Sequence, residues 1–391
     1  MLLTMQFQHE AIDSVRTAGD RMRDLESECV EQRKLADDSA KILRDSGVMR
    51  LLQPRRYGGF EADPGVFNAA MYEIARLSSS AGWVTGVVGV HSWHLGLYPD
   101  RAQHDVWGEN PDTWISSSYS PAGTARIVPG GYELTGRWGF SSGSNHCDWV
   151  FVGAMVTDAD GRRTGQQVHL LLPRADYTID DVWFTSGLAG TGSNDIVVDG
   201  AFVPDHRVLD VADLYAQRYP GNEVNTAGLF RIPWYTLFVN AVVMPLVGMS
   251  RRVLDEAVGI HQSRLAVDAS KLPHPASLTR LAEADFEVDT AYRILQANLA
   301  DAYAAVERGD QVPMEVRQHT RRDHIAAVRL AVSAADKAYQ VGGPRSISTA
   351  SALQAVWRDV HAGQHHAVNL PDRSDHEYGE YLLTGNPGTL Y

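Results

Sequence analysis

The sequence predicts a mostly helical α+β fold: a helical N-terminal domain, a central antiparallel β-domain and a C-terminal helical bundle. Three observations carry this. Residues 6 to about 110 hold long apolar stretches bounded by helix stops; about 113–208 hold short β-branched and aromatic runs between turn residues; about 230–368 return to helical spacing. A helix–sheet–helix order without strand–helix alternation argues against a parallel α/β sheet. The domain boundaries read as 1–112, 113–210 and 211–391.

In the first zone Asp37, Asp38 and Ser39 precede the apolar run Ala40–Leu52, which Gln53-Pro54-Arg55-Arg56-Tyr57-Gly58-Gly59 ends. Gly82–Val90 is apolar all round and reads as a buried helix. In the middle zone the strand runs are Thr113–Tyr119, Tyr132–Thr135, Trp149–Val156, Val168–Leu172 and Ile196–Val203. In the last zone Leu281, Val288, Leu295 and Ala302 share one heptad position, and Ala284, Ala291, Asn298 and Ala305 another. Ile325, Val328, Val332 and Ala335 continue the stripe. Small residues on that stripe let helices approach closely. Residues 219–230 and 266–276 read as exposed linkers.

Composition excludes several classes. With 48 Asp+Glu against 35 Lys+Arg the net charge is −13, a poor balance for neutralising phosphates, so no nucleic acid is expected. No apolar run approaches the roughly 20 residues of a membrane span. The start, MLLTMQFQHEAIDS, lacks a cationic segment before an apolar one, so no secretory signal is read. Cys29 and Cys147 build neither a disulfide framework nor a structural zinc site, and suit a reducing cytoplasm. Hydrophobic residues at 44% can fill a large core. The unusual count is 15 histidines, several of them clustered.

Four segments can carry chemistry. Gly187–Asn194 is glycine-rich, but it lacks a P-loop lysine and leads into a strand, so a tight inter-strand loop is the simpler reading. Arg137–His146 places three serines, an asparagine and a histidine after two aromatics; on composition alone a polar turn is the favoured reading. His91 and His94 lie in the buried helix and need hydrogen-bond partners or a function. His361 and His365 would share a helix face at zinc-ligand spacing, but no third ligand is evident; His366 points elsewhere and suits a metal-free base.

Several phrases together resemble the acyl-CoA dehydrogenase superfamily: Gln53–Gly59, Gly187–His206 and Gln340-Val341-Gly342-Gly343. Within it, Gly82-Trp83-Val84, Val88–Leu95, Ile115–Tyr119, Phe140–Gly143 and Trp357–Gly363 resemble flavin-dependent two-component monooxygenases, closest to the phenolic secosteroid and p-hydroxyphenylacetate hydroxylases. The resemblance implies a C-terminal four-helix bundle and a homotetramer. A dehydrogenase would carry a catalytic Glu nine residues after Arg358, where Ala367 stands.

The implied reaction is hydroxylation of a phenolic or polycyclic aromatic through a C4a-hydroperoxide of reduced flavin (FADH2 or FMNH2) and O2, the flavin coming from a separate NAD(P)H-dependent reductase. An N-oxygenase or indole hydroxylase, and an acyl-CoA dehydrogenase or oxidase, are the alternatives. By the same resemblance Ser142, with Ser141 beside it, sits near flavin N5, and His91 holds the oxygenated flavin or the substrate oxygen. His366 is the base for the phenol, uphill by about 5 kcal/mol from ordinary pKa values. Trp138, Phe140, Gly190, Thr191 and Ser193 are candidate flavin contacts. Trp93 and Tyr119, with His366, are candidate substrate contacts, and Trp183 is wall material. No metal is implied.

Overall fold

The computed structural model describes residues 7–388; the opening residues, read above for a secretory signal, lie partly outside them. Seven helices come first: α1 (Glu10–Thr17), α2 (Gly19–Asp24), α3 (Glu26–Gln32), α4 (Asp37–Ser46), α5 (Pro64–Leu77), α6 (Ser79–Leu95) and α7 (Asp100–Trp107). The strands follow: β1 (Ile115–Val128), β2 (Gly131–Ser141), β3 (Trp149–Thr157), β4 (Arg163–Pro173), β5 (Thr178–Asp180), β6 (Asn194–Pro204) and β7 (Val208–Asp210). Then come α8 (Val211–Tyr215), α9 (Trp234–Phe238), α10 (Asn240–Val267), α11 (Pro275–Glu307), α12 (Met314–Gly342), α13 (Ala352–Gly363) and α14 (Pro371–Thr384). The helix–sheet–helix order is the one the sequence predicts.

The sheet order is β5-β6-β2-β1-β3-β4-β7. One feature corrects the antiparallel expectation: β1 and β3 pair in parallel, while the other neighbours are antiparallel. Strand β2 runs back to the end where β1 starts, and the short connection 142–148 begins β3 at that same end, beside β1, so β1 and β3 run the same way.

Two linker expectations diverge. Residues 266–276 are largely exposed, but Tyr219, Gly221, Asn225 and Gly228–Phe230 are buried, and Asn225 donates to Gly96 O at 2.7 Å. The first helix boundary also moves: α4 stops at Ser46, where Gly47 takes φ 74° and ends the ladder before Leu52. The heptad stripe of α11 is buried at Val288, Leu295, Ala302, Ala284, Ala291 and Ala305, and packs on α12.

Helix α10 is the axis of the core, packed by α5, α6, α12 and α13. With α9 it forms a continuous segment, Trp234–Val267, long and apolar enough to cross a membrane by composition, which the sequence reading passed over; it is buried inside the protein. Helix α6 crosses it very closely. Pro245 has no N–H for Ala241 O, and that freed carbonyl faces Gly86. A Cβ on residue 86 would lie 2.1 Å from Ala241 O. Gly86→Ala is therefore expected to cost about 2–3 kcal/mol of stability by overpacking, read as a drop in Tm with the secondary structure retained.

Candidate functional site

Helix α6 is buried on nearly every side, so it can present different residues to different neighbours. Its first half carries Trp83 toward the β-domain and the C-terminal arm. The Trp83 indole N–H donates to Ser142 Oγ at 3.1 Å, and its ring meets the His366 ring edge-on at 5.9 Å. Ser142 and His366, separated by most of the chain, thus share one tryptophan. Its second half, about two turns on, carries His91 and His94 into an aromatic shell of Tyr119, Phe151, Trp234, Phe238 and His169.

Ser142 reaches its place through a strained bend. Phe140 has φ 66°, and the β2–β6 register slips between Trp138 and Ser141. A positive φ is costly for an aromatic residue. Here it leaves the Phe140 ring 75% exposed, edge-on to Trp183 at 5.9 Å, while Ser141 and Ser142 turn inward. Behind Ser142 lie two more hydroxyls. Ser193 Oγ is 2.7 Å from Ser142 Oγ and 2.7 Å from Thr191 Oγ1, and Thr191 donates to Leu188 O at 2.8 Å.

Several sequence candidates do not face this surface. The Trp138 indole fills the interior of the sheet, over Gly123 and Gly136, and donates to Gly153 O at 2.7 Å, so it is not a flavin contact. Trp93 is fully buried on another side of α6 and donates to Leu229 O at 2.9 Å; it is not a substrate contact. Gly190 is glycine because α3 and α6 press on it: an added Cβ would meet Ser80 Oγ at 2.5 Å and Cys29 Cβ at 2.7 Å. Thr191 and Ser193 are buried, and their hydroxyls line up behind that of Ser142. Ser141 Oγ is buried and unpartnered. His365 lies beyond the end of α13, exposed, while His361 Nε2 is 2.9 Å from Asp336 Oδ1; the pair does not share a helix face.

The histidines differ in which nitrogen is free. His91 Nδ1 lies 2.6 Å from Ile115 O; a carbonyl only accepts, so Nδ1 carries the hydrogen. His91 Nε2 is then a bare lone pair, buried and without a partner. His366 is the reverse. Its Nδ1 accepts from Val368 N–H at 3.3 Å, capping the turn 367–369, so Nε2 carries the hydrogen. Burial pushes both imidazoles down to about 4, so both are neutral at pH 7. The expectation of a free basic nitrogen at His366 is therefore not met, whereas His91 carries one.

Sequence reasoning missed His169, hidden in a strand run, whose Nδ1 is also unpartnered and whose pKa burial lowers to about 3. It missed the role of Tyr119 as partner of His94, hydroxyl to Nδ1 at 2.6 Å. It also missed Asp359. That buried carboxylate accepts from Leu188 N–H at 2.7 Å, while Arg358 donates to Ser186 O at 2.7 Å, so α13 clamps the glycine-rich loop. Burial first, then Glu26, raises Asp359 to about 7; the Leu188 N–H and Arg252 oppose the rise. A carboxyl raised on folding costs stability as pH climbs from about 4 through 7. Asp359→Asn keeps an acceptor and removes the charge. It is expected to raise Tm more at pH 8 than at pH 4.5; an equal effect at both would refute the assignment.

A recess of about 370 Å³ lies beside Gly342 of the Gln340–Gly343 phrase, lined also by Ile260, Ser263, Arg264, Arg345, Ser346 and Ser351.

Comparison with known proteins agrees with this geometry. The family model described as acyl-CoA dehydrogenase, C-terminal domain, matches residues 241–371. The oxygenase subunit HsaA of a flavin-dependent monooxygenase from Rhodococcus jostii (strain RHA1) is 42% identical over 92% of this chain and 94% of that protein. The crystal structure of 3-HSA hydroxylase from Rhodococcus sp. RHA1 superposes with TM-score 0.94 at 41% identity, covering 98% of both chains. XiaF from Streptomyces sp., solved in complex with FADH2 and glycerol, superposes with TM-score 0.91 at 25% identity over 98% of this chain and 97% of its own. With whole-length identity of that order, the chain belongs to the oxygenase components of two-component flavin-dependent monooxygenases, built on the acyl-CoA dehydrogenase fold.

Proposed function

We propose that this oxygenase component hydroxylates a phenol, with His91 taking the phenolic proton. The single observation that carries this reading is the unpartnered lone pair of His91 Nε2 inside an aromatic shell. A buried acceptor without a donor costs about 1–3 kcal/mol, and a substrate hydroxyl beside it would remove that cost. The ring of the same substrate would lie among Tyr119, Phe151 and Phe238.

The residues fit a flat, polar-edged cofactor. Phe140 and Trp183 leave an open aromatic face, and Ser142 offers a hydroxyl oxygen beside it. Reduced flavin, when bound, activates O2 for transfer of one oxygen atom to an aromatic carbon. The protein's share is to hold, shield and move one proton. A phenol near 10 facing an imidazole near 4 makes complete transfer uphill by about 8 kcal/mol. His91 therefore takes the proton as the ring gives up electron density, not beforehand. His366, with its N–H turned out by the Val368 cap, serves an oxygen that carries negative charge. A separate flavin reductase supplies the reduced flavin. Exposed Val267, Leu272 and Phe286 support assembly with further copies of the chain as a homotetramer.

The test supplies the protein with reduced FAD or FMN, air and a set of phenols, and measures hydroxylated product against hydrogen peroxide. Conversion of phenols, with their O-methyl ethers left unreacted, is expected. Equal turnover of the ethers would defeat the role of the phenolic proton. Turnover of indoles or amines in preference to phenols would move the protein to the heteroaromatic or nitrogen-oxygenating alternative.

A further inference from the structure

The hydroxyl chain behind Ser142 has a fixed direction. Four contacts define it: Trp83 Nε1 to Ser142 Oγ, Ser142 Oγ to Ser193 Oγ, Ser193 Oγ to Thr191 Oγ1, and Thr191 Oγ1 to Leu188 O. Each hydroxyl has one hydrogen to give, and the terminal carbonyl has none. Thr191 must spend its hydrogen on Leu188 O. The Thr191–Ser193 contact then takes the hydrogen of Ser193, and the Ser193–Ser142 contact takes that of Ser142. Trp83 is a donor only. All four bonds can coexist in one arrangement, and in it Ser142 has no hydrogen left for a ligand. It offers a lone pair. Thr191 and Ser193 are sealed, whereas Ser142 keeps a small exposed area, so the outward end of the chain is an acceptor.

We propose that Ser193 and Thr191, acting through Ser142, make this site select reduced over oxidised flavin. The inference rests on the flavin reading above. Two-electron reduction adds hydrogen to a nitrogen of the central flavin ring, turning an acceptor into a donor. A fixed acceptor at Ser142 pairs with that N–H and opposes the bare nitrogen of the oxidised ring. Ser193 and Thr191 are positioning residues: they touch no ligand and set the polarity of the one that does. The device suits an oxygenase that receives reduced flavin from another protein and must release it once oxidised.

The experiment measures dissociation constants for reduced flavin, anaerobically, and for oxidised flavin, with wild-type protein, Ser193→Ala, Thr191→Ser, Thr191→Val and Ser142→Ala. Wild type is expected to favour the reduced form by roughly tenfold or more, the scale of one mismatched buried hydrogen bond. Ser193→Ala frees the Ser142 hydrogen, so oxidised flavin should bind more tightly and the preference should shrink severalfold. Thr191→Val, which can no longer donate to Leu188 O, should also shrink it, while Thr191→Ser should restore it. Ser142→Ala should abolish the preference without any gain in oxidised-flavin affinity. Retained thermal unfolding profiles exclude misfolding. An unchanged affinity ratio in Ser193→Ala, with reduced flavin still bound and phenol still hydroxylated, overturns the polarity proposal alone. Failure of wild type to bind either flavin overturns the flavin reading beneath it.

Discussion

Replacing His91 by alanine is expected to lower phenol hydroxylation at least about 100-fold, the usual scale for losing a positioned proton acceptor, while reduced flavin still binds. Oxygen consumption should continue and appear as hydrogen peroxide. The reason is local. His91 Nδ1–H is committed to Ile115 O, so the ring cannot turn to offer a different nitrogen, and its Nε2 lone pair is left free. His91→Gln places an amide there, which can accept a hydrogen bond but cannot take a proton; it should recover substrate binding and little rate. Product yield unchanged in His91→Ala would remove His91 from the chemistry.

Replacing His366 by alanine is expected to act differently. Its Nε2–H donates, so the loss should be that of one charge-assisted hydrogen bond, about 10- to 100-fold in rate. His366→Asn, which retains an N–H donor, should recover part of it. The pH profile separates donor from base. Burial lowers His366 to about 4, so its N–H is present and unchanged from pH 6 to 9. Any rise in rate across that range should follow the ionisation of the phenol itself, moving to lower pH with more acidic phenols. A profile fixed by the enzyme and independent of the phenol would restore the base role to His366. The variant also removes the cap on Val368 N–H, so its Tm should be measured alongside.

The three-zone order was legible because its signals are local. Turn residues bound the strands, and the apolar run around Gly82–Val90 marks a buried helix. His91, Ser142 and His366 stood out as polar groups in apolar or serine-rich settings. What could not be read is which way each side chain faces. Helix α6 is apolar all round and carries no amphipathic phase, so nothing local tells His91 from Trp93, yet one meets the aromatic shell and the other donates to Leu229 O. Trp138 and Phe140 are two residues apart on one strand, where alternation alone would put them on one face. The positive φ at Phe140 breaks that alternation, and one is sealed while the other is exposed. Gly190 resembled a ligand-approach glycine, but Cys29 and Ser80, more than 100 residues away, explain it. The tautomers of His91 and His366 depend on Ile115 and Val368; the first partner is remote in sequence, and the second caps a turn that composition does not announce.

The central claim is that hydrogen positions sort this site into acceptors and donors, and neutron diffraction from a deuterium-exchanged crystal tests it most directly. The account predicts deuterium on Nδ1 of His91 and on Nε2 of His366, with the Ser142 hydroxyl directed at Ser193. Deuterium on Nε2 of His91, or on Nδ1 of His366, would contradict it.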